Sequence, residues 1–494
     1  MKKLLAIFVL TTSIVSAQYT VKGTMTPPEK SDWVYLHKLQ GAKSKFISNT
    51  TIKSNTIVVG GEKQVLGKFE FTLPENATPG VYRATYRNKG NGFVDFYFNK
   101  ENIEFIFNPK YPEQSVVFTA SRENKLYSEY LQAYALVQNK IDENQVAYIK
   151  NGNKETKKAY RNDVKKLEDI QEIYENKSEG MLVHNFIKAS QRYNPSSPMD
   201  NMDEYLSSTV HHFFKYIDFK NDALYNSSFL VDRIADYVFY LNFSENQVLQ
   251  QKLLKESITK VMDELPNVKL KKAVTEFLIT SLADKRNGEV VDWVFETYYD
   301  KLPEEEIDEK FKKEKIQLLR ATIGRIAPDF SWKEEGKDFK LSTLNDAEQY
   351  LLVFWSTSCP HCTKDIPKLH NYIKEKHEEV SVITFGIEDT ELDWNEFIKN
   401  LPYSHNAVGT HPTYKFDNET VRKYNLLGTP TYFVLDKDKK IVAMPNQLVD
   451  VKNYFDKEKE NQQEQDKEQD KEQDKEQDEN EDKEQDENED EDED

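Results

Sequence analysis

The feature that most narrows the folds open to this chain is a junction. An apolar run, "QYLLVFW" (Gln349 to Trp355), passes at once into "STSCPHC", and Cys359 and Cys362 are the only cysteines among 494 residues. The run has the length and composition of a strand buried on both faces. The stretch from Pro360 to Lys376 reads as a helix opening on proline, which suits a first helical position. A strand ending at Trp355 and a helix starting at Pro360 put Cys359 at the helix N-terminus. There its sulfur faces unpaired backbone N–H groups and the positive end of the helix dipole. Both favour thiolate over thiol, and thiolate is the nucleophile. His361 can add positive charge beside that sulfur. Cys362, one turn on and facing inward, is the resolving thiol, able to attack a mixed disulfide and release the product.

Two other uses of the pair fit less well. A structural zinc site needs four ligands, and the chain has no second cysteine pair, while His361, His370 and His377 lie on or near one helix from which at most one could turn to the sulfurs. A staple across so short a loop removes little unfolded-state entropy.

Around the junction, residues 322–456 alternate strand and helix: strand, helix, strand, helix, helix, strand, strand, helix. "VSVITFGI" is the strand after the cysteine helix, and "TYFVLDKDKKIVAM" is a hairpin over an Asp-Lys turn. The pattern predicts an α/β domain, a mixed sheet covered by helices on both faces. Residues 18–118 alternate apolar and polar with period two, as in "GKFEFTLP" and "GFVDFYF", between Pro-Gly and Asn-Gly turns. That predicts an all-β, sandwich-like domain. Residues 119–321 are poor in glycine and carry apolar residues at helical spacing, as in "VKKLEDIQEIY", which predicts an all-α segment. Its His211-His212 pair reads as packing, because adjacent helical residues point in different directions.

Both ends of the chain are of another kind. "MKKLLAIFVLTTSIVSAQ" has two lysines, an apolar run and a small-residue cleavage site, so residues 1–17 read as a signal peptide of an exported, periplasmic protein. No later stretch approaches the length of a membrane span. Residues 457–494 repeat EQDK and its variants, with 22 acidic residues against 6 lysines, and so hold about −16 of the net −19. The four-residue period stacks like charges at i and i+4, which disfavours helix, so a disordered acidic tail is expected. With the tail set aside the chain is nearly neutral, and no basic patch supports nucleic-acid binding.

Several separated elements of the C-terminal region resemble the thioredoxin fold, and within it the periplasmic TlpA/ResA-type thiol-disulfide oxidoreductases. They are "APDF" (Ala327 to Phe330), "FWSTSCPHC", Pro367 five residues after Cys362, and "GTPTYFVLD" with Thr429-Pro430. The resemblance implies a cis-proline loop at Thr429-Pro430 opposite the cysteines, where a tight turn exposes backbone to an extended substrate. It also implies protein thiol and disulfide substrates, a membrane-embedded electron donor and no dissociable cofactor. Glu388, in "TFGIED", resembles the glutamate that ResA-type proteins place near the active site, from which it could relay the resolving thiol's proton. One departure is Val353, where thioredoxins carry a buried aspartate. The Cys-Pro-His-Cys sequence is that of the strong oxidant DsbA, whereas the domain as a whole resembles reductants. The β and helical regions more loosely resemble those preceding TlpA-like domains. The expected function is a protein-disulfide reductant, and the alternative is an envelope binding or scaffold protein whose thioredoxin-like domain is not catalytic.

Overall fold

The structure is a computed structural model of the chain and describes residues 18–87, 92–399, 401 and 403–459. The expected signal peptide, residues 1–17, and the tail from residue 460 on lie outside the described residues. The chain gathers into two compact units divided between Phe277 and Leu278.

The first unit begins with two sheets. One runs Lys53–Val59, Glu62–Pro74, Gln18–Met25, Ile103–Phe107, Val117–Ala120, and the other Lys43–Thr51, Trp33–Gln40, Gly80–Thr85, Phe93–Phe98. Alternate residues of both, among them Val21, Leu36, Phe71, Phe96 and Phe105, meet in one buried core, the sandwich-like arrangement that period-two patterning predicts. Gly23 is required there, because a Cβ would stand 2.0 Å from the Phe69 ring. Helices follow. Arg122–Asn151 and Lys154–Lys177 form a hairpin whose N-caps, Ser121 and Asn153, accept from Asn124 and Thr156 N–H. Gly152 turns between them at φ 58°. The Asn124 side chain ties this hairpin to strand residue Tyr97 by bonds of 2.8 and 2.7 Å.

The stretch 119–321 is built of helices, as the pattern predicts, yet it is shared between the two units. Amphipathic helices bury a single stripe each and so need a neighbour to complete a core.

The second unit holds a five-stranded mixed sheet in the order His405–Thr410, Val380–Glu388, Gln349–Trp355, Thr431–Asp436, Ile441–Ala443. The first three strands are parallel and the last two run antiparallel to their neighbours. Parity in the central strand decides which core each residue joins. Leu351, Val353 and Trp355 pack with Cys362, Ile366 and Leu369 on one face. Tyr350, Leu352 and Phe354 pack with Phe330, Phe385 and Tyr424 on the other. The segment before the sheet is laced to its edge hairpin: Gly324 N–H donates to the Ile441 carbonyl and Ala327 N–H to that of Lys439, both at 2.8 Å.

Two elements are absent from the order predicted above. The edge strand His405–Thr410 has few strand-forming residues, and its Gly409 exists to admit the Phe385 ring, 2.6 Å from where a Cβ would be. The hairpin Ser331–Glu334 with Lys337–Lys340 is largely charged, so alternation is faint. The final helix covers 448–459, three residues beyond the expected domain end, and Lys459 donates to the Lys376 carbonyl at 2.6 Å. Among the described residues no helix is long and apolar enough to cross a membrane.

Candidate active site

The boundaries expected from sequence are those observed: the strand ends at Trp355 and the helix Pro360–Lys376 starts five residues later. Cys359 is the N-cap of that helix, its Sγ accepting the Cys362 N–H at 3.3 Å. Cys359 is half-buried, whereas Cys362 is fully buried against Trp355, Ile366 and Tyr432. Phe354 pairs with Thr431 across the sheet, which sets the two residues before Thr431 beside the turn that follows Trp355. These are Thr429 and Pro430, joined by a cis bond, and the Thr429 carbonyl lies 3.5 Å from Cys359 Sγ.

Environment drives the two thiols apart. Burial pushes Cys359 up, but hydrogen bonds with Cys362 and Thr429 and with the backbone of Cys362 and His361 outweigh it, leaving the thiol below its ordinary value. Cys362 is pushed up to about 12, first by burial and then by its hydrogen bond to Cys359. Val353 contributes here, since its side chain belongs to the core that encloses Cys362. The surroundings thus favour the thiolate at one sulfur and the thiol at the other.

The loop between strand and helix is held from two sides. Glu388, buried at the end of Val380–Glu388, accepts from the Thr357 N–H at 2.6 Å, the Thr357 hydroxyl at 3.0 Å and the Ser356 hydroxyl at 3.2 Å. Among the described residues no hydrogen bond joins Glu388 to either sulfur; its hold on them runs through the loop. Lys415 answers from the other side, donating to Ser356 Oγ at 2.9 Å and Ser358 Oγ at 2.5 Å, with Asp389 at 3.9 Å. Sequence alone does not single out Lys415, whose serine partners lie more than fifty residues away. His361 is exposed on the first turn of the helix. His211 and His212 pack edge-on against each other, and His212 stacks on Tyr193.

Residues 322–458 match the family model Redoxin. The C-terminal region is a Redoxin domain. Thiol-disulfide oxidoreductase ResA of Bacillus thuringiensis is 28% identical over 137 residues, covering 26% of this chain and 70% of that protein. Its namesake in Bacillus subtilis is 26% identical over 123 residues, covering 24% of this chain and 65% of that protein. A solved thioredoxin-like protein from Bacteroides caccae is similar over 54% of this chain and 98% of its own, at 16% identity and a TM-score of 0.28. The Redoxin domain is thus similar to thiol-disulfide oxidoreductases, and the β-rich and helical regions precede it.

Proposed function

We propose that the protein reduces disulfides in other proteins through Cys359 and Cys362. The observation that carries this is the split between the two thiols, one a half-exposed helix cap held low, the other buried and raised to about 12. The Cys359 thiolate attacks one sulfur of the substrate disulfide; that S–S bond breaks, and the departing thiolate takes a proton. Cys362 then loses its proton and attacks Cys359 Sγ, freeing the second substrate thiol. Two electrons have passed to the substrate, and the protein holds a Cys359–Cys362 disulfide. A dithiol donor restores it; a membrane-embedded one fits the resemblance to ResA-type proteins.

In this reading Thr429 and Pro430 present backbone to the substrate, His361 adds charge near the attacking sulfur, and Glu388 fixes the loop that leads to it. The apolar segment following Lys2 and Lys3 supports export to the periplasm. The potential should lie above thioredoxin's roughly −270 mV and well below DsbA's roughly −120 mV. Equilibration with glutathione, followed by fluorescence of Trp355 in the core it shares with Cys362, measures it. A value near DsbA's would make the protein an oxidant or isomerase. Trapping names the substrates: Cys362→Ser should accumulate mixed disulfides identifiable by mass, and none would form on an envelope scaffold without catalysis.

A further inference from the structure

Beside the cis-proline loop lies an open groove of about 500 Å³. Its floor is residues 426–432 and 444–446, with Ile323 at one side. Two further residues, Lys285 and Arg286, come from outside the Redoxin match, and among the described residues they are the only charged ones that line the groove. The apolar part is presented outward: Leu427 is 86% exposed and Ile323 46%. Nothing lies within 4 Å of a Cβ built on Gly428, so the floor is open where the loop turns toward Cys359.

The cations do not hang on a loose loop. Arg286 N–H donates to the Ala283 carbonyl and Asn287 N–H to the Leu282 carbonyl, both at 2.9 Å, closing the preceding helix with Arg286 at φ 56°. The Asn287 side chain then caps the next helix, Gly288–Thr297, accepting from Val290 N–H at 3.2 Å. A Cβ on Gly288 would stand 2.7 Å from the Thr322 hydroxyl, so the corner is seated on the segment at 322–325. That segment in turn bonds to Ile441 in both directions at 2.8 Å, and Ile441–Ala443 leads directly into the groove floor at Met444. A chain of short contacts therefore fixes Lys285 and Arg286 relative to the substrate loop.

We propose that this groove receives the extended segment flanking the substrate's cysteine, and that Lys285 and Arg286 select segments carrying aspartate or glutamate there. The proposal rests on the thiol-exchange reading and adds a substrate class to it: acidic, extended, cysteine-bearing polypeptide. Continuity with the Thr429 carbonyl, 3.5 Å from Cys359 Sγ, puts the bound segment in line with the attacking sulfur. Among the described residues the lining holds these two cations and no acidic side chain, which sets the charge preference.

The test uses the full, pre-reduced protein and two peptides of equal length, each with one cysteine held in a disulfide to a neutral fluorescent thiol. In one the cysteine is flanked on both sides by glutamate, in the other by lysine. The ratio of the two second-order rate constants should favour the acidic peptide about tenfold at low salt and fall toward one at high salt. It should drop to one or below in Lys285→Glu/Arg286→Glu and toward one in Lys285→Gln/Arg286→Gln, a milder pair that keeps the test available should the reversed pair fold poorly. An acidic-to-basic ratio unchanged in both variants, or equal to one in the natural protein, overturns the proposal and leaves the two cations as partners of the helix end they follow. If neither peptide is reduced by the natural protein, the thiol-exchange reading itself fails, and this one with it.

Discussion

The N-terminal sandwich and the five-stranded sheet of the second unit solve burial in different ways. Strands of the N-terminal sandwich bury alternate residues, as in Phe93–Phe98 and Ile103–Phe107, and leave the others on outer faces. The central strands of the Redoxin sheet are covered on both sides: Val380–Glu388 is buried along its whole length and Gln349–Trp355 at all but its first residue. A strand covered on both faces can offer reactive groups only at its ends. The cysteine loop, Glu388 and the loop residue Ser356 all gather at the C-terminal ends of these strands. The sandwich carries no cysteine at any of its strand ends.

That contrast can be broken in several ways. The largest effect is expected at the strand end itself. Cys359→Ser should lower insulin-disulfide reduction by about three orders of magnitude or more; ordinary turnover in that variant would remove the nucleophile. Next is the sandwich core. Phe96→Ala, at a fully buried site, should cost about 3–5 kcal/mol of stability in denaturant unfolding while leaving the thiol-exchange rate below the transition unchanged. A parallel loss of rate would mean that the sandwich takes part in the chemistry.

The pH dependence sharpens the picture of the two thiols. Alkylation of reduced protein should follow the Cys359 thiolate, so the rate rises through a midpoint below the ordinary thiol value of about 8.5 and is level above it. Cys362, raised to about 12, should stay unmodified across that range. A single midpoint at or above the ordinary value would put the two sulfurs on an equal footing. Smaller still are the loop anchors. Glu388→Gln and Lys415→Met should each slow release of the mixed disulfide by roughly three- to tenfold, about 1 kcal/mol for a lost hydrogen bond, in stopped-flow with the fold retained by circular dichroism. Unchanged release would leave both with no part in that step. Smallest is Val58→Thr on the sandwich, where the side chain is 66% exposed and the change should stay within about 0.5 kcal/mol.

How much of this was legible in the sequence depended on the range of the interactions involved. The junction at Trp355 and Pro360 could be read because strand and helix there are specified by adjacent residues. The hairpin ending in Ile441–Ala443 was equally plain, its turn closed by Asp436 and Lys440 within five residues. The edge strand His405–Thr410 was not, since it is stabilised by its place against Val380–Glu388 and by space for Phe385, neither visible in six residues. Glu388 could be singled out, but its partners could not: it grips Ser356 and Thr357 across the sheet rather than a sulfur. Lys415 gave no local signal at all.

One bond described above ties chemistry to the backbone. In the proposed exchange the attacking sulfur is also the acceptor that starts the helix, since Cys359 Sγ holds the Cys362 amide hydrogen. As thiolate it is a strong acceptor, and as one half of a disulfide it is a weak one. The first turn should therefore open more readily each time the protein is oxidised, and exchange of the Cys362 amide with deuterium should quicken in that state. The amide becomes a clock hand set by the oxidation state of its neighbour, readable without any added dye, substrate or mutation.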